Sequence, residues 1–250
     1  MKKLFYVLLP LLTAQIGLAQ YSGQVASNLT TGGNSDGGIS AQINALLGST
    51  GERAEKLKNY FDDFQGSPYV SNTFLPTTMF YKDENLGQIF YRHNALNEEV
   101  EIKKSNLEEE AIKSLARDKN INILIDGKKM GFKTFVDAKG RTMNGYLISL
   151  LEGDTYDLYK RTHVKFTEGK PATSSFTKAV PSRFSQFTEY YFQKEGVNRM
   201  DEITLKNSTL IKMITDATAK EKLKIFLKEN ELNIKEEANL IKAFEFLNTL

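Results

Sequence analysis

Two hydrophobic periodicities divide the chain. Between Phe74 and Leu205 apolar residues recur at every second position, with short polar turns between the runs. After Asn207 they recur every three to four positions. The first rhythm belongs to half-buried strands and the second to amphipathic helices, because side chains alternate across a strand and return to one face of a helix every 3–4 residues.

The strand rhythm can be followed segment by segment. Phe74 to Tyr81 and Leu86 to His93 flank the polar turn Lys82-Asp83-Glu84-Asn85, which reads as a hairpin. In Glu98 to Lys103, Val100 and Ile102 face one way, and Glu99, Glu101 and Lys103 the other. Ile121, Ile123 and Ile125 align and then turn at Asp126-Gly127. Phe132, Thr134 and Val136 share a face, as do Tyr146, Ile148 and Leu150 after the turn 138–141. Glu152-Gly153-Asp154 turns the chain into Thr155 to Phe166. Residues 167–182 form a polar Pro/Gly/Ser/Thr loop, Arg183 to Gln193 is aromatic and extended, and Glu202 to Leu205 is a short strand. Ser105 to Ala116 is the one interruption, with a pattern that suits a short helix. Turns spaced by about 10 to 14 residues suit an antiparallel meander that curls.

The helical rhythm flanks this body. Ile39, Ile43, Leu46 and Leu47 share one face before Gly48, and Leu57, Tyr60, Phe61 and Phe64 share another. At the C-terminus Asn207 or Ser208 is placed to cap a helix to Ile214, and Asp216 one ending near Glu229. Asn233 with Glu236 resembles a capping box for Ile234 to Leu247, whose stripe Leu240, Ile241, Phe244 and Leu247 is core. The expected class is α+β: an antiparallel β-roll or partly open barrel, with short N-terminal helices and a C-terminal three-helix group. The expected segments are a signal peptide at 1–19, a flexible linker at 20–38, short amphipathic helices at 39–65, an antiparallel β domain at 66–205 and the helical group at 206–250.

The signal peptide rests on Lys2-Lys3, an apolar run from Leu4 to Ala19, and small residues at Gly17 and Ala19. That run contains Pro10 and falls short of the ~20 apolar residues a spanning helix needs. The linker rests on Ser27 to Gly38, which are short polar residues and glycines.

Composition narrows the function classes. The 33 basic and 31 acidic residues become equal in number once Lys2 and Lys3 leave. Such a balance gives no long-range pull toward nucleic acid or an acidic bilayer. The absence of cysteine excludes disulfides, thiolate catalysis, cysteine metal sites and a lipidated cysteine. The absence of tryptophan removes one common sugar-stacking residue.

Two stretches carry a family likeness. One runs from Gly66-Ser67-Pro68-Tyr69 through Tyr91-Arg92-His93-Asn94-Ala95-Leu96-Asn97-Glu98-Glu99-Val100-Glu101. The other runs from Tyr190-Tyr191-Phe192 through Lys228 to Glu237 and on to the end. Together they resemble an uncharacterised exported β-rich protein family of Bacteroidota with a helical C-terminus. The resemblance implies a β-rich body in a Gram-negative envelope. It implies no activity and transfers no functional residue.

The residues themselves offer little reactive chemistry. The two histidines, His93 and His163, stand in no metal-binding spacing. No strained serine turn of the GxSxG kind is present, and Gly48-Ser49-Thr50-Gly51 lacks the lysine of a phosphate loop. Adjacent acids such as Glu98-Glu99 point apart and make poor acid–base pairs. No catalytic residue, metal or cofactor is therefore expected. The candidate ligand surface is the face Tyr159, Arg161, His163 and Lys165, where three potential cations and a tyrosine suit an anionic ligand such as a glycan or lipid headgroup. The competing reading of that face is a solvated outer sheet surface. Phe187, Tyr190, Tyr191 and Phe192 are a second candidate, as an aromatic binding platform, though most of them are read as core.

The expected function is that of a non-enzymatic binding or accessory protein of the cell envelope, periplasmic, outer-membrane-associated or secreted. Its partner would be an envelope protein, not nucleic acid, and no membrane span remains after cleavage. The alternatives are an envelope hydrolase acting on glycans, with carboxylates assembled by the fold, and a periplasmic carrier of an apolar ligand.

Overall fold

The structure is a computed structural model that describes residues 43, 46–49, 64–174 and 176–250. The signal segment 1–19, the linker 20–38 and most of the helical stretch 39–65 lie outside the described residues. Among the described residues eleven strands form one sheet: β1 (Leu47–Ser49), β2 (Leu75–Tyr81), β3 (Glu84–Asn94), β4 (Glu99–Lys103), β5 (Lys113–Leu115), β6 (Ile121–Ile125), β7 (Lys128–Val136), β8 (Thr142–Leu151), β9 (Tyr156–Thr167), β10 (Arg183–Lys194) and β11 (Met200–Glu202). Three helices follow: α1 (Asn207–Met213), α2 (Ala217–Glu229) and α3 (Glu237–Leu247). The class is α+β.

Part of the sheet closes. Its order is β1-β5-β4-β3-β2-β6-β7-β11-β10-β9-β8, and β8 also pairs with β7. Strands β7 to β11 therefore make a five-membered ring. The last link is a single bridge between Asp201 and Val136 that runs parallel in an otherwise antiparallel sheet. Each strand of the ring sends one large side chain to a common interior cluster: Phe135, Leu147, Tyr159, Tyr191 and Met200. A ring this narrow is filled by its own side chains.

Two larger cores lie outside the ring, besides a small cluster of Ala95, Val164 and Phe184. Strands β1 to β6 continue the sheet from β7 and curl over Met79, Leu86, Ile89, Val100, Ile102, Ile121 and Ile123, which meet Met130 of β7 and Tyr146 of β8. Ile43 and Leu46 also belong to this core. The outer face of β9 and β10, through Tyr156, Leu158, Tyr190 and Phe192, carries the helices, whose Leu223, Leu227, Leu240, Phe244 and Leu247 are buried there.

Local chemistry explains most of the boundaries. The β2–β3 turn is Lys82-Asp83, with φ of 47° and 67°, and the β6–β7 turn is Asp126-Gly127, with φ of 50° and 77°. Two successive left-handed residues match the right-handed twist of a hairpin. Asp216 caps α2 by accepting from the Ala219 amide at 2.7 Å.

Four local expectations are corrected. Ser105 to Ala116 forms turns and β5 instead of a helix, because Lys113–Leu115 pairs with β1 and β4. Gly48 does not simply stop a helix but lies within β1. Neither Asn207 nor Ser208 caps α1, whose first flanking residue is Lys206 without a side-chain cap. Asn207 instead donates to the Leu232 carbonyl at 2.7 Å and accepts from the Ile234 amide at 3.2 Å, which ties α1 to the α2–α3 connection. The capping box of Asn233 and Glu236 does not form, since Asn233 turns the chain through the Lys235 amide and α3 begins only at Glu237.

Candidate functional site

The structure separates Tyr159, Arg161, His163 and Lys165: the first two lie inside the ring and the last stands in water. Tyr159 is only 5% exposed and Arg161 8%. Their polar heads are already engaged. The Tyr159 hydroxyl donates to Asp157 at 3.0 Å. Arg161 donates through Nε to Glu98 Oε1 at 3.0 Å, through Nη2 to the same oxygen, and through Nη1 to Glu189 Oε2 at 2.7 Å. Its guanidinium lies over the Phe135 ring. His163 is half-buried, stacked on Phe187, with Nδ1 3.5 Å from Glu189. Only Lys165 is exposed, beyond the end of the ring.

Glu98 reaches this bundle from the β3–β4 turn, where its φ is 53°. Its second oxygen accepts from the Tyr146 amide at 3.3 Å. The approach needs Gly145, since a Cβ there would stand 2.8 Å from Glu98 Oε2. Burial raises the Glu98 carboxyl above its ordinary value, with Arg161 pulling the other way. Tyr191 donates to Glu189 at 2.8 Å, and its hydroxyl is raised by burial first and by that carboxylate second.

A second guanidinium is held alike. Arg92 donates from Nε to Glu101 Oε2 at 2.8 Å and stacks on Tyr69 and Phe74. Tyr69 donates to Glu101 Oε1 at 3.2 Å, and burial followed by that charge pushes its hydroxyl up to about 12. Glu101 and Lys103 are consequently buried, although alternation places them on a polar strand face.

Beside the second of these bundles lies a hollow of about 70 Å³, lined in part by Arg92. Its floor is Met130, Tyr146 and Ile148, and β3 contributes Tyr91, Arg92 and His93. Lys160 and Thr162 of β9 close one wall. Lys160 is paired with Glu237 of α3 at 2.7 Å. The segment before β2 forms the rim through Val70, Ser71, Thr73 and Leu75. Val70 and Leu75 are 45% and 40% exposed there, so apolar surface continues from the hollow into solvent.

His93 is the odd group in this wall. It is buried, its ring meets Tyr146 edge-on, and Nε2 has no hydrogen-bond partner among the described residues. Burial first, and the Arg161 charge second, lower it to about 4. It is therefore a neutral imidazole at neutral pH.

Glu98, Glu101 and Glu189 are each held on a guanidinium, and no acid lines the hollow among the described residues. Among the described residues no group of three or more His, Asp or Glu is placed to hold a metal ion. Sequence reasoning missed Glu98, Glu189, Glu101 and the rim residues. One signal was available for Glu189, which stands directly opposite Arg161 in the β9–β10 register. None marked Glu98, because its partner is 63 residues away in sequence, on another part of the sheet. Comparison with protein-family models, with curated proteins and with solved structures finds no match to this chain.

Proposed function

We propose that the chain is a non-enzymatic accessory protein of the cell envelope, exported by residues 1–19, that grips a partner through one apolar group seated in the hollow. The observation that carries this reading is the size of the hollow together with its apolar rim. Sites for whole drug-sized ligands run to ~300–1,000 Å³, and an apolar cavity of ~150 Å³ holds benzene. A space of about 70 Å³ suits a short aliphatic side chain or the end of an acyl group. That size speaks against a carrier enclosing an apolar cargo. The guanidinium-bound carboxylates speak against a hydrolase.

Val70→Glu/Leu75→Glu tests the reading, because both side chains are already partly in water and the fold should survive their change. Wild type and variant are cross-linked in the native cells and then affinity-purified. The proposal expects a stoichiometric partner with the wild type that disappears with the variant. Recovery of the wild type alone, or an unchanged partner with the variant, would sink it.

A further inference from the structure

The hairpin that joins β9 to β10 continues beyond the ring as an arm. The two strands pair without a break from Tyr156 opposite Lys194 to Thr167 opposite Arg183. Lys170 and Val180 then exchange both backbone hydrogen bonds, each at 2.8 Å. Gly169 lets the legs cross closely, since a Cβ there would meet the Val180 carbonyl at 2.4 Å. The tip is organised around Thr177, whose hydroxyl accepts from the Thr173 and Ser174 amides at 3.0 and 2.9 Å.

The arm presents an unusual surface. Every described residue from Lys170 to Pro181 is exposed. Phe176, at the tip, is 97% exposed, and Val180 lies exposed behind it. Phe166 and Phe187 are half-exposed at the root. The same segment concentrates cations. Between residues 164 and 188 stand Lys165, Lys170, Lys178 and Arg183 against one acid, Glu168, a net of +3. The whole chain carries +2, so the remainder carries −1. Among the described residues none of these four cations has an ion-pair partner. The near-neutral total therefore hides a local positive charge.

We propose that this arm docks on an anionic lipid surface, with Phe176 entering the headgroup boundary and the four cations meeting phosphate groups. Aromatic side chains settle at that boundary, and basic residues beside it are drawn to anionic headgroups. A tip that offers one fully exposed aromatic ring among short polar residues gives a protein partner little to enclose. A bilayer interface accepts such a tip in any rotation. The arm touches the surface and does not span it.

The absence of tryptophan supplies the test, because Phe176→Trp becomes the only indole in the chain. The full chain carrying this change is mixed with vesicles of phosphatidylglycerol and phosphatidylcholine in equal parts. Its emission should shift to the blue with these vesicles and stay unshifted with phosphatidylcholine alone. In sedimentation, Phe176→Ser should weaken vesicle binding about tenfold or more. Lys170→Gln and Lys178→Gln should each weaken it about fivefold, less at high salt. All these chains share one N-terminus, so differences between them report the arm alone. An unshifted emission with anionic vesicles, or equal sedimentation of wild type and Phe176→Ser, would overturn the proposal. So would burial of the indole by a protein partner in the absence of lipid. Thermal melts of each variant confirm that the fold is intact, as expected for side chains in water.

Discussion

Arg161 and Glu98 meet across 63 residues of sequence, Nε to Oε1 at 3.0 Å, and join the β3–β4 turn to the middle of β9. The contact locks the curled sheet onto the closed ring. Removing one side of a buried, hydrogen-bonded pair leaves the other charge unpaired, at ~3–5 kcal/mol. Arg161→Met should fall in that range or above it, because it strands Glu189 as well. Glu98→Gln/Arg161→Met should cost less than the sum of the single changes. Urea unfolding of the four chains measures this, and strict additivity would show that the pair is not coupled.

Gly145 gives a related expectation. A methyl group there meets Glu98 Oε2 at 2.8 Å and Arg161 Nε at 3.4 Å. Gly145→Ala should destabilise by ~1–3 kcal/mol through overpacking. The penalty should shrink when Glu98→Ala is also present. An equal penalty in both backgrounds would place its source elsewhere.

His93 predicts acid sensitivity. Its folded value is about 4, against 6.5 for the free side chain. Between those values the unfolded chain binds the proton and the folded chain does not. Stability should therefore be level above pH 6.5 and fall as the pH drops from 6.5 toward 4. The full loss is on the order of 3 kcal/mol. His93→Phe should flatten stability between pH 6.5 and 5, above the main carboxylate range. His163 is also lowered, by burial first, with Glu189 opposing, so it adds to the slope with the same sign. An NMR titration of the two imidazoles separates them, and an ordinary titration of His93 would contradict its burial.

Asn248 fastens the C-terminus to the ring. Its Oδ1 accepts from the Thr155 and Tyr156 amides at 2.9 and 2.7 Å, and its Nδ2 donates to the Tyr156 carbonyl at 2.9 Å. Asn248→Ala should cost about 2 kcal/mol, since part-buried backbone groups of the β8–β9 turn lose their partners. Asn248→Asp keeps the acceptor and should fall between alanine and wild type. Thermal unfolding of the three chains gives the order, and a neutral alanine variant would show the staple to be idle.

Much of the fold was legible because alternation and turn chemistry act locally. Ile121, Ile123 and Ile125 with Asp126-Gly127 define a strand and a left-handed turn from neighbours alone. The stripe Leu240, Phe244 and Leu247 defines a buried helix face in the same way. What failed were features that depend on distant partners. Lys113–Leu115 becomes a strand only because β1 and β4 lie beside it, and Asn207 leaves its capping role because the α2–α3 connection offers better partners.

The candidate site shows the same division more sharply. Alternation placed Tyr159, Arg161, His163 and Lys165 on one face, and they do share it. It assigned that face to a ligand or to water, because a polar face normally seeks water. Sheet closure takes Tyr159 and Arg161 out of water, since both faces of β9 are covered within the ring.

The sequence by itself determined the α+β class, most strands and turns, the buried stripes of the helices and the polar loop at 167–182. These follow from local periodicity and backbone preference, which need no partner. Only the tertiary structure decided that β7 to β11 close into a ring, that Arg161 is held between Glu98 and Glu189, and that a small apolar hollow opens beside His93. Closure and charge pairing are set by which segments meet, and that is a property of the folded chain and not of any window within it.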